Sequence, residues 1–595
     1  MGKPFLQDIP DLLGGLNESA SGNIADNEFA VLYNFHVDTL GLIQREGTTE
    51  LAGPHPAQEE ILGVFRYAPS FNPTETTLLG CEASIAKVNG TAIEALSIAD
   101  GHVYQTSAER WWGEQYNDEF FMCQKGQGGV KRLYGDSVME GGIPAPTTAP
   151  NAVAGGSGSG KKIAGQYFLA FRYFNSITGA KSKWSPLSKG VTIADLEKIN
   201  VSAITSSDSR QVNSRQIGAT YPLDATATSG VIYVVGQIND NSSTTFEENA
   251  LSPDEYGEAD VDVGGNITTD IRHGPPPDQA WALEIHKERL FVLNKDGISW
   301  SEAALPQSFK ATSFLPFAKG TGLLSWDQHG LVLFSEERVK ILLGDTPSDW
   351  RIDTLSEQHR CPAGKSAAVG DGTLFWYTGT NIVASGGGAP TILPRIERIR
   401  VTLDSIPEDE KSDVVGETIP GKGWYVLSVP TSDGRKVIVY DYVKSAFSVF
   451  PAGPKTLARL FADDQSETIF AAFDNDDTLY EYLSGTSDDG TPITAKVRTK
   501  AYGAQGAHHL TRRVLIDCPA TNGTVTVRVY HDDVLVATRA GVSLNKAEVK
   551  RITVAATGRP GATVQVELEY AGTARLHIHA LQVEGVDIRR RVKAI

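Results

Sequence analysis

Residues 155–162 read Gly-Gly-Ser-Gly-Ser-Gly-Lys-Lys, one position away from a phosphate-cradling glycine-rich loop. The chemistry fails at that position. Lys162 stands where a hydroxyl would ligate Mg²⁺, and the residues before it are rich in Pro and Ala. The residues after it, IAGQYFLAFRYF, read as a strand, so no helix N-terminus would face a phosphate. The stretch is read as a linker. His508-His509 and His577-x-His579 could hold a metal, since residues two apart on a strand share a face. Spacing supplies no third ligand, so these read as surface or core histidines. Glu247, Glu248, Asp254, Glu255, Glu258, Asp260 and Asp262 follow one another without an intervening Lys or Arg. Their spacing is not that of an EF-hand loop, and they read as a solvated acidic face. Glycoside hydrolysis needs two carboxyls ~5–9.5 Å apart; among 72 acids some pair meets that by chance. No Gly-x-Ser-x-Gly elbow and no Ser/His/Asp set stands out. The residues therefore point to no catalyst, no cofactor and no metal.

Such residues would have to be held by β structure. Helical periodicity is nearly absent; only short pieces such as 192–198 could wind up. Elsewhere, runs rich in Val, Ile, Tyr, Phe and Thr alternate with Gly, Asp, Asn and Pro clusters, which is an all-β pattern. The 59 glycines supply the positive φ angles that tight turns need. A loose repeat of a strand, a glycine turn and an aromatic strand recurs at 92–106, 282–302, 323–345, 366–386, 423–451 and 457–485. The dipeptides Asp100-Gly101, Asp296-Gly297, Asp371-Gly372 and Asp433-Gly434 fall where hairpins need them. Repeats of roughly 40–50 residues predict a β-propeller of about six to eight blades, with stacked sandwiches as the alternative.

The expected organisation is N-terminal strands completing the propeller (1–55), first blades (56–142) and a linker (143–162). A fibronectin-like sandwich inserted at 163–274, remaining blades (275–486) and a C-terminal sandwich (487–595) complete it. In the insertion, 167–188 reads as a strand, a hairpin and a second strand. From residue 487 onward 16 Lys/Arg face 10 Asp/Glu, a net +6, which leaves −24 on the rest. Overall, 54 Lys/Arg against 72 Asp/Glu give −18, which argues against a general nucleic-acid binder. The four cysteines lie far apart and are expected as free thiols of a reducing compartment. No stretch approaches the ~18 apolar residues of a membrane helix, and MGKPFLQDIPDLLGG is not expected to act as a secretion signal.

The opening segment carries Gly14-Gly15-Leu16-Asn17, Glu28, Asn34-Phe35 and Arg45-Glu46-Gly47-Thr48. In that order it resembles the start of tail nozzle (tail tubular or hub) proteins of short-tailed bacteriophages. The strand at 167–174, the segment 182–186 and the return at 275–309 are also similar to that family, whereas the C-terminal unit matches it least. The resemblance implies a structural protein of the virion tail, assembled in the bacterial cytoplasm as a homohexameric ring. An adaptor would lie above, a fibre, needle or tip protein below, and double-stranded DNA would pass without sequence preference.

A conduit should not grip phosphates, and net negative charge suits one. The acids of 247–262, and Glu408, Asp409 and Glu410 in 404–413, are candidate lumen or gate residues. Arg589, Arg590, Arg591 and Lys593 are candidate docking residues. Two other functions compete: a carbohydrate-binding or carbohydrate-degrading propeller or tailspike, and a generic protein-binding propeller scaffold.

Overall fold

The computed structural model describes the chain apart from residues 1–2, 10, 71–74, 99–106, 127, 158–161, 223–230, 249–272, 327–328, 462–466, 504–507, 520, 546–548, 555–559 and 589–595. Strand makes up 55% of the chain and helix 4%, so the fold is all-β.

Among the described residues, one unit recurs seven times: an up-and-down antiparallel run of four strands, a sheet by itself in four cases and part of a larger sheet in three. The units begin at Ile61–Tyr67, Trp111–Tyr116, Ala282–His286, Gly320–Trp326, Ala368–Gly370, Val415–Ile419 and Thr456–Phe461. The seventh takes its fourth strand, Thr48–Ala52, from the N-terminal region, where it pairs with Leu479–Tyr482.

The sequence explains why these sheets stack. Their second strands are continuous apolar runs, and period 2 sends alternate residues to opposite faces. Phe120 and Met122 join the first sheet's core, whereas Phe121 and Cys123 join the third's. Leu331 and Leu333 face the third sheet, and Val332 and Phe334 face the fifth. Leu374 and Trp376 pack toward the fourth, and Phe375 and Tyr377 toward the sixth. Val426 continues the series into the seventh, whose Ala472 and Leu479 meet Ile61 and Leu79 of the first. The arrangement is therefore cyclic and propeller-like.

Local turn chemistry sets the hairpins. Asp371 and Gly372 are both left-handed (φ 48° and 74°) between strands paired Gly370 to Thr373. Asp532 and Asp533 (φ 51° and 62°) do the same between His531 and Val534.

Several expectations are corrected. The linker at 143–162 is partly strand: Asn151–Ser157 pairs with Glu197–Ser202 and opens the insertion earlier than residue 163. The piece 192–198 is not helical, because Val191–Ile193 and Glu197–Ser202 are strands. The second strand expected within 167–188 is instead an irregular edge. Ser182, Ser185 and Ser188 each accept a backbone N–H, from Tyr173, Phe171 and Leu169. Arg172 lies 4.3 Å over the Trp184 ring beside this ladder.

The N-terminal strands mostly leave the ring. Lys3–Ile9 pairs with Ala580–Ile588, and Phe29–Tyr33 bridges the sixth sheet to Thr494–Thr499. The C-terminal sandwich is consequently continuous with the sixth sheet in one ten-stranded sheet, and a single apolar core runs through both.

Candidate functional site

The first strands of the sheets line an axial cavity of about 850 Å³. Apolar residues supply part of the wall, among them Val64, Leu323, Val415 and Leu457. Three carboxyls, a lysine and two arginines interrupt it: Glu114, Glu284, Glu417, Lys365, Arg66 and Arg459, the arginines paired with Glu75 and Glu467. Lys365 gets there on a tight 3-10 turn, Gly364–Ser366. That turn needs glycine at 364, because a Cβ would fall 2.2 Å from the Thr321 carbonyl oxygen. The Lys365 amine sits 3.9 Å from the centre of the Trp112 ring. Glu284 is 9% exposed and accepts the Ser325 N–H at 3.0 Å. The Ser325 hydroxyl meets His286 Nδ1 at 2.9 Å.

Surrounding strands leave charge inside this space poorly solvated. Burial pushes Glu114 up to about 7, against the pull of Lys365. Burial, then the Glu114 charge, holds Glu284 well above the usual carboxylate range. Burial lowers Lys365 to about 8, although both carboxylates oppose this. Glu417 is raised by burial with Arg459 as its counter-charge, and burial lowers His286 to about 4. The cavity thus offers carboxyl groups, one amine and two guanidiniums, bordered by Trp112, Phe65 and Phe120. Sequence reading passed over these residues. Their signal was a charged residue inside an otherwise apolar strand, as in ALEIH (282–286).

The acids singled out from sequence lie elsewhere. Glu247 is exposed and pairs with Lys198 at 2.8 Å. Glu248 is buried beside Lys162 at 2.5 Å, inside the insertion, so it faces no lumen and that expectation is corrected. Glu408, Asp409 and Glu410 are exposed on the 3-10 turn Glu408–Asp413. Asp254, Glu255, Glu258, Asp260 and Asp262, and Arg589, Arg590, Arg591 and Lys593, lie outside the described residues.

His509 is buried on Asp587 at 2.8 Å. Among the described residues, the grouping that could hold a metal is His55, Glu59 and Cys81, with ligand atoms within 4.8 Å of one another. Its chemistry fits poorly. Burial pushes the Cys81 thiol far up, Ser84 donates to Glu59 at 2.7 Å, and the Ala57 N–H points at His55 Nδ1 at 3.3 Å. All four cysteines are buried and free. No described helix is long and apolar enough to cross a membrane.

A second constellation is structural. Asn17 donates to Glu28 at 2.6 Å, and Glu28 pairs with Arg398. Arg45, 3% exposed, grips Asp488 with two bonds of 2.9 and 2.6 Å and donates to Asn34 Oδ1 at 2.6 Å. Asn34 donates in turn to the Thr494 carbonyl at 2.8 Å. Glu46 bonds Lys422 and Arg575. A Cβ on Gly47 would lie 1.9 Å from the Ser487 carbonyl oxygen.

No protein-family model matches the chain, and no curated protein matches it. Among solved structures, the chain is similar to an exported protein of Bacteroides fragilis at 11% identity, covering 45% of this chain and 87% of that one, with a TM-score of 0.22. It is similar to a family 43 arabinoxylan arabinofuranohydrolase of Bacillus subtilis at 11% identity, 66% and 93% coverage and a TM-score of 0.16. The BBS1 N-terminal region crystallised with ARL6 gives 10% identity, 75% and 99% coverage and a TM-score of 0.24. At these TM-scores none of them bears on substrate or assembly.

Proposed function

We propose that the chain is a structural virion protein: a wall segment of a short-tailed phage's tail nozzle, assembled as a homohexameric ring between adaptor and tip. One observation carries the reading. Part of the resemblance lies on the clamp between the ring of sheets and the C-terminal sandwich, where Asn34, Arg45 and Glu46 join Asp488 and Lys422 to Thr494 and Arg575. Asn17, Glu28, Asn34, Arg45, Glu46 and Gly47 each touch a partner more than 300 residues away or a residue that does. A segment that welds two units into one stiff body suits a part whose task is mechanical.

In this reading the seven sheets are the blades of one propeller. Its axial cavity, about 850 Å³ and walled by strand side chains, has no room for a duplex. DNA would therefore run between copies, past exposed acids such as Glu247, Glu408, Asp409 and Glu410, each copy carrying a net −18. Electron microscopy of the purified protein tests this. Rings of six, and the same rings at the particle's tail, are expected; a monomer at every concentration would overturn the proposal. Neutralising Glu408, Asp409 and Glu410 should slow DNA ejection, and unchanged kinetics would remove them from the gate.

A carbohydrate-directed role is the second reading, and one observation favours it: Glu114 and Glu284 share a cavity with Trp112. Incubation with bacterial surface polysaccharide tests it.

A further inference from the structure

We infer that the axial cavity binds a short, uncharged oligosaccharide whose hydroxyls are held by Glu114, Glu284 and Lys365. The inference rests on the carbohydrate reading and goes past it by assigning the site and the ligand class.

Closing seven sheets around an axis needs no charge at the centre, and Val64, Leu323 and Leu457 show that apolar residues fit the same wall. Buried Glu284 and half-buried Glu114 and Lys365 are placed there at a cost, because polar groups drawn from water without partners destabilise a fold. Among the described residues, no protein donor reaches the Glu114 carboxyl. Glu284, nine-tenths buried, accepts a single bond, from Ser325. No carboxylate lies within ion-pair distance of the Lys365 amine, whose near neighbour is the Trp112 ring. Three strong hydrogen-bonding groups therefore converge on one space with their capacity largely unspent.

The cavity's size falls in the ~300–1,000 Å³ range of small-molecule sites. Its chemistry selects the ligand. An anion would meet the Glu114, Glu284 and Glu417 carboxyls, and a cation would meet Lys365, Arg66 and Arg459. A neutral sugar answers both, since each hydroxyl donates and accepts, and its C–H groups can pack against the rings of Trp112 and Phe65. The protein's −18 charge further disfavours polyanionic glycans.

The test titrates the full-length chain, by calorimetry and saturation-transfer NMR, with neutral oligosaccharides of two to four hexose units and with an oligouronate of equal length. Binding of a neutral member is expected, weakened at least tenfold in Glu284→Gln and in Lys365→Met, with ring assembly intact. Ala458→Phe narrows the cavity without altering the charged groups and should also weaken binding, which keeps the test decisive if a charge variant misfolds. If no neutral saccharide binds, the inference and the carbohydrate reading fall together. If saccharides bind equally well to all three variants, the reading stands and the axial assignment falls. Tighter binding of the oligouronate overturns the ligand class.

Discussion

Arg45→Met isolates the clamp. Methionine keeps most of the buried stem and removes the guanidinium, so the loss is polar. Two charge-assisted bonds to Asp488 disappear, together with the donor to Asn34 Oδ1 and the 2.8 Å bond to the Glu46 carbonyl. Breaking a buried ion pair costs about 3–5 kcal/mol when the orphaned partner stays dry. Asp488 is 37% exposed and regains water, so its share falls below that range; the Asn34 and Glu46 acceptors left unsatisfied, about 1–3 kcal/mol each, bring the total to about 3 kcal/mol. Asn34 cannot relax freely, because its backbone is held left-handed (φ 55°) and its amide is spent on Thr494. The assay is urea and thermal unfolding of the parent and the variant, followed by tryptophan fluorescence and by proteolysis of the C-terminal sandwich. The sandwich should open about 3 kcal/mol more easily, and before the ring. Arg45→Lys should fall between, since a point charge cannot make the paired bonds. An Arg45→Met transition within about 0.5 kcal/mol of the parent, the range of an ordinary surface substitution, with both units still opening together, would refute the clamp as the source of stiffness.

Gly47→Ala should destabilise severely or yield insoluble protein, because its Cβ would meet the Ser487 carbonyl oxygen at 1.9 Å; solubility and melting temperature check it. Lys162→Met should cost about 3–5 kcal/mol by leaving Glu248 buried with its charge uncompensated, whereas Lys162→Met with Glu248→Leu should come back near the parent, measured by urea midpoints. The folded pKa of Glu114 is raised from 4.5 to about 7, so the native state holds the proton longer and stability falls as pH rises through that window. Glu114→Gln should flatten that part of the stability–pH curve. The flattening is partial, because Glu284 and Glu417 are also raised and His286, lowered to about 4, acts with opposite sign, whereas Lys365, lowered from 10.5 to about 8, acts at higher pH.

What was legible in the sequence was local. Period-2 patterning and turn residues are short-range, and Asp371-Gly372 and His531-Asp532-Asp533 sit at hairpins whose strand pairing they set. What was not legible depends on partners far along the chain. Asn151–Ser157 reads as a linker because it is an exposed edge strand with no apolar face to betray it. Phe29–Tyr33 reads as part of the propeller, yet its partner strands begin at Ala446 and Thr494. Glu248 reads as a solvent-facing acid from its acidic neighbours, and only the fold places it against Lys162.

The axial residues show why a repeat hides its own centre. Within one unit, Glu114 or Glu284 is merely an acid on a strand, and nothing in that strand says which face is inward. Inwardness exists only after the seventh sheet meets the first, and the strand that completes the seventh sheet, Thr48–Ala52, comes directly after the clamp residues Arg45 and Glu46. Closure of the ring and attachment of the sandwich are therefore encoded in one short stretch. If the clamp loosens, the strain should reach the axial cavity through Thr48–Ala52, so Arg45→Met should also change how readily small solutes quench the tryptophan at 112. Unchanged quenching there, with the sandwich already loosened, would mean that closure and attachment are independent despite their shared segment.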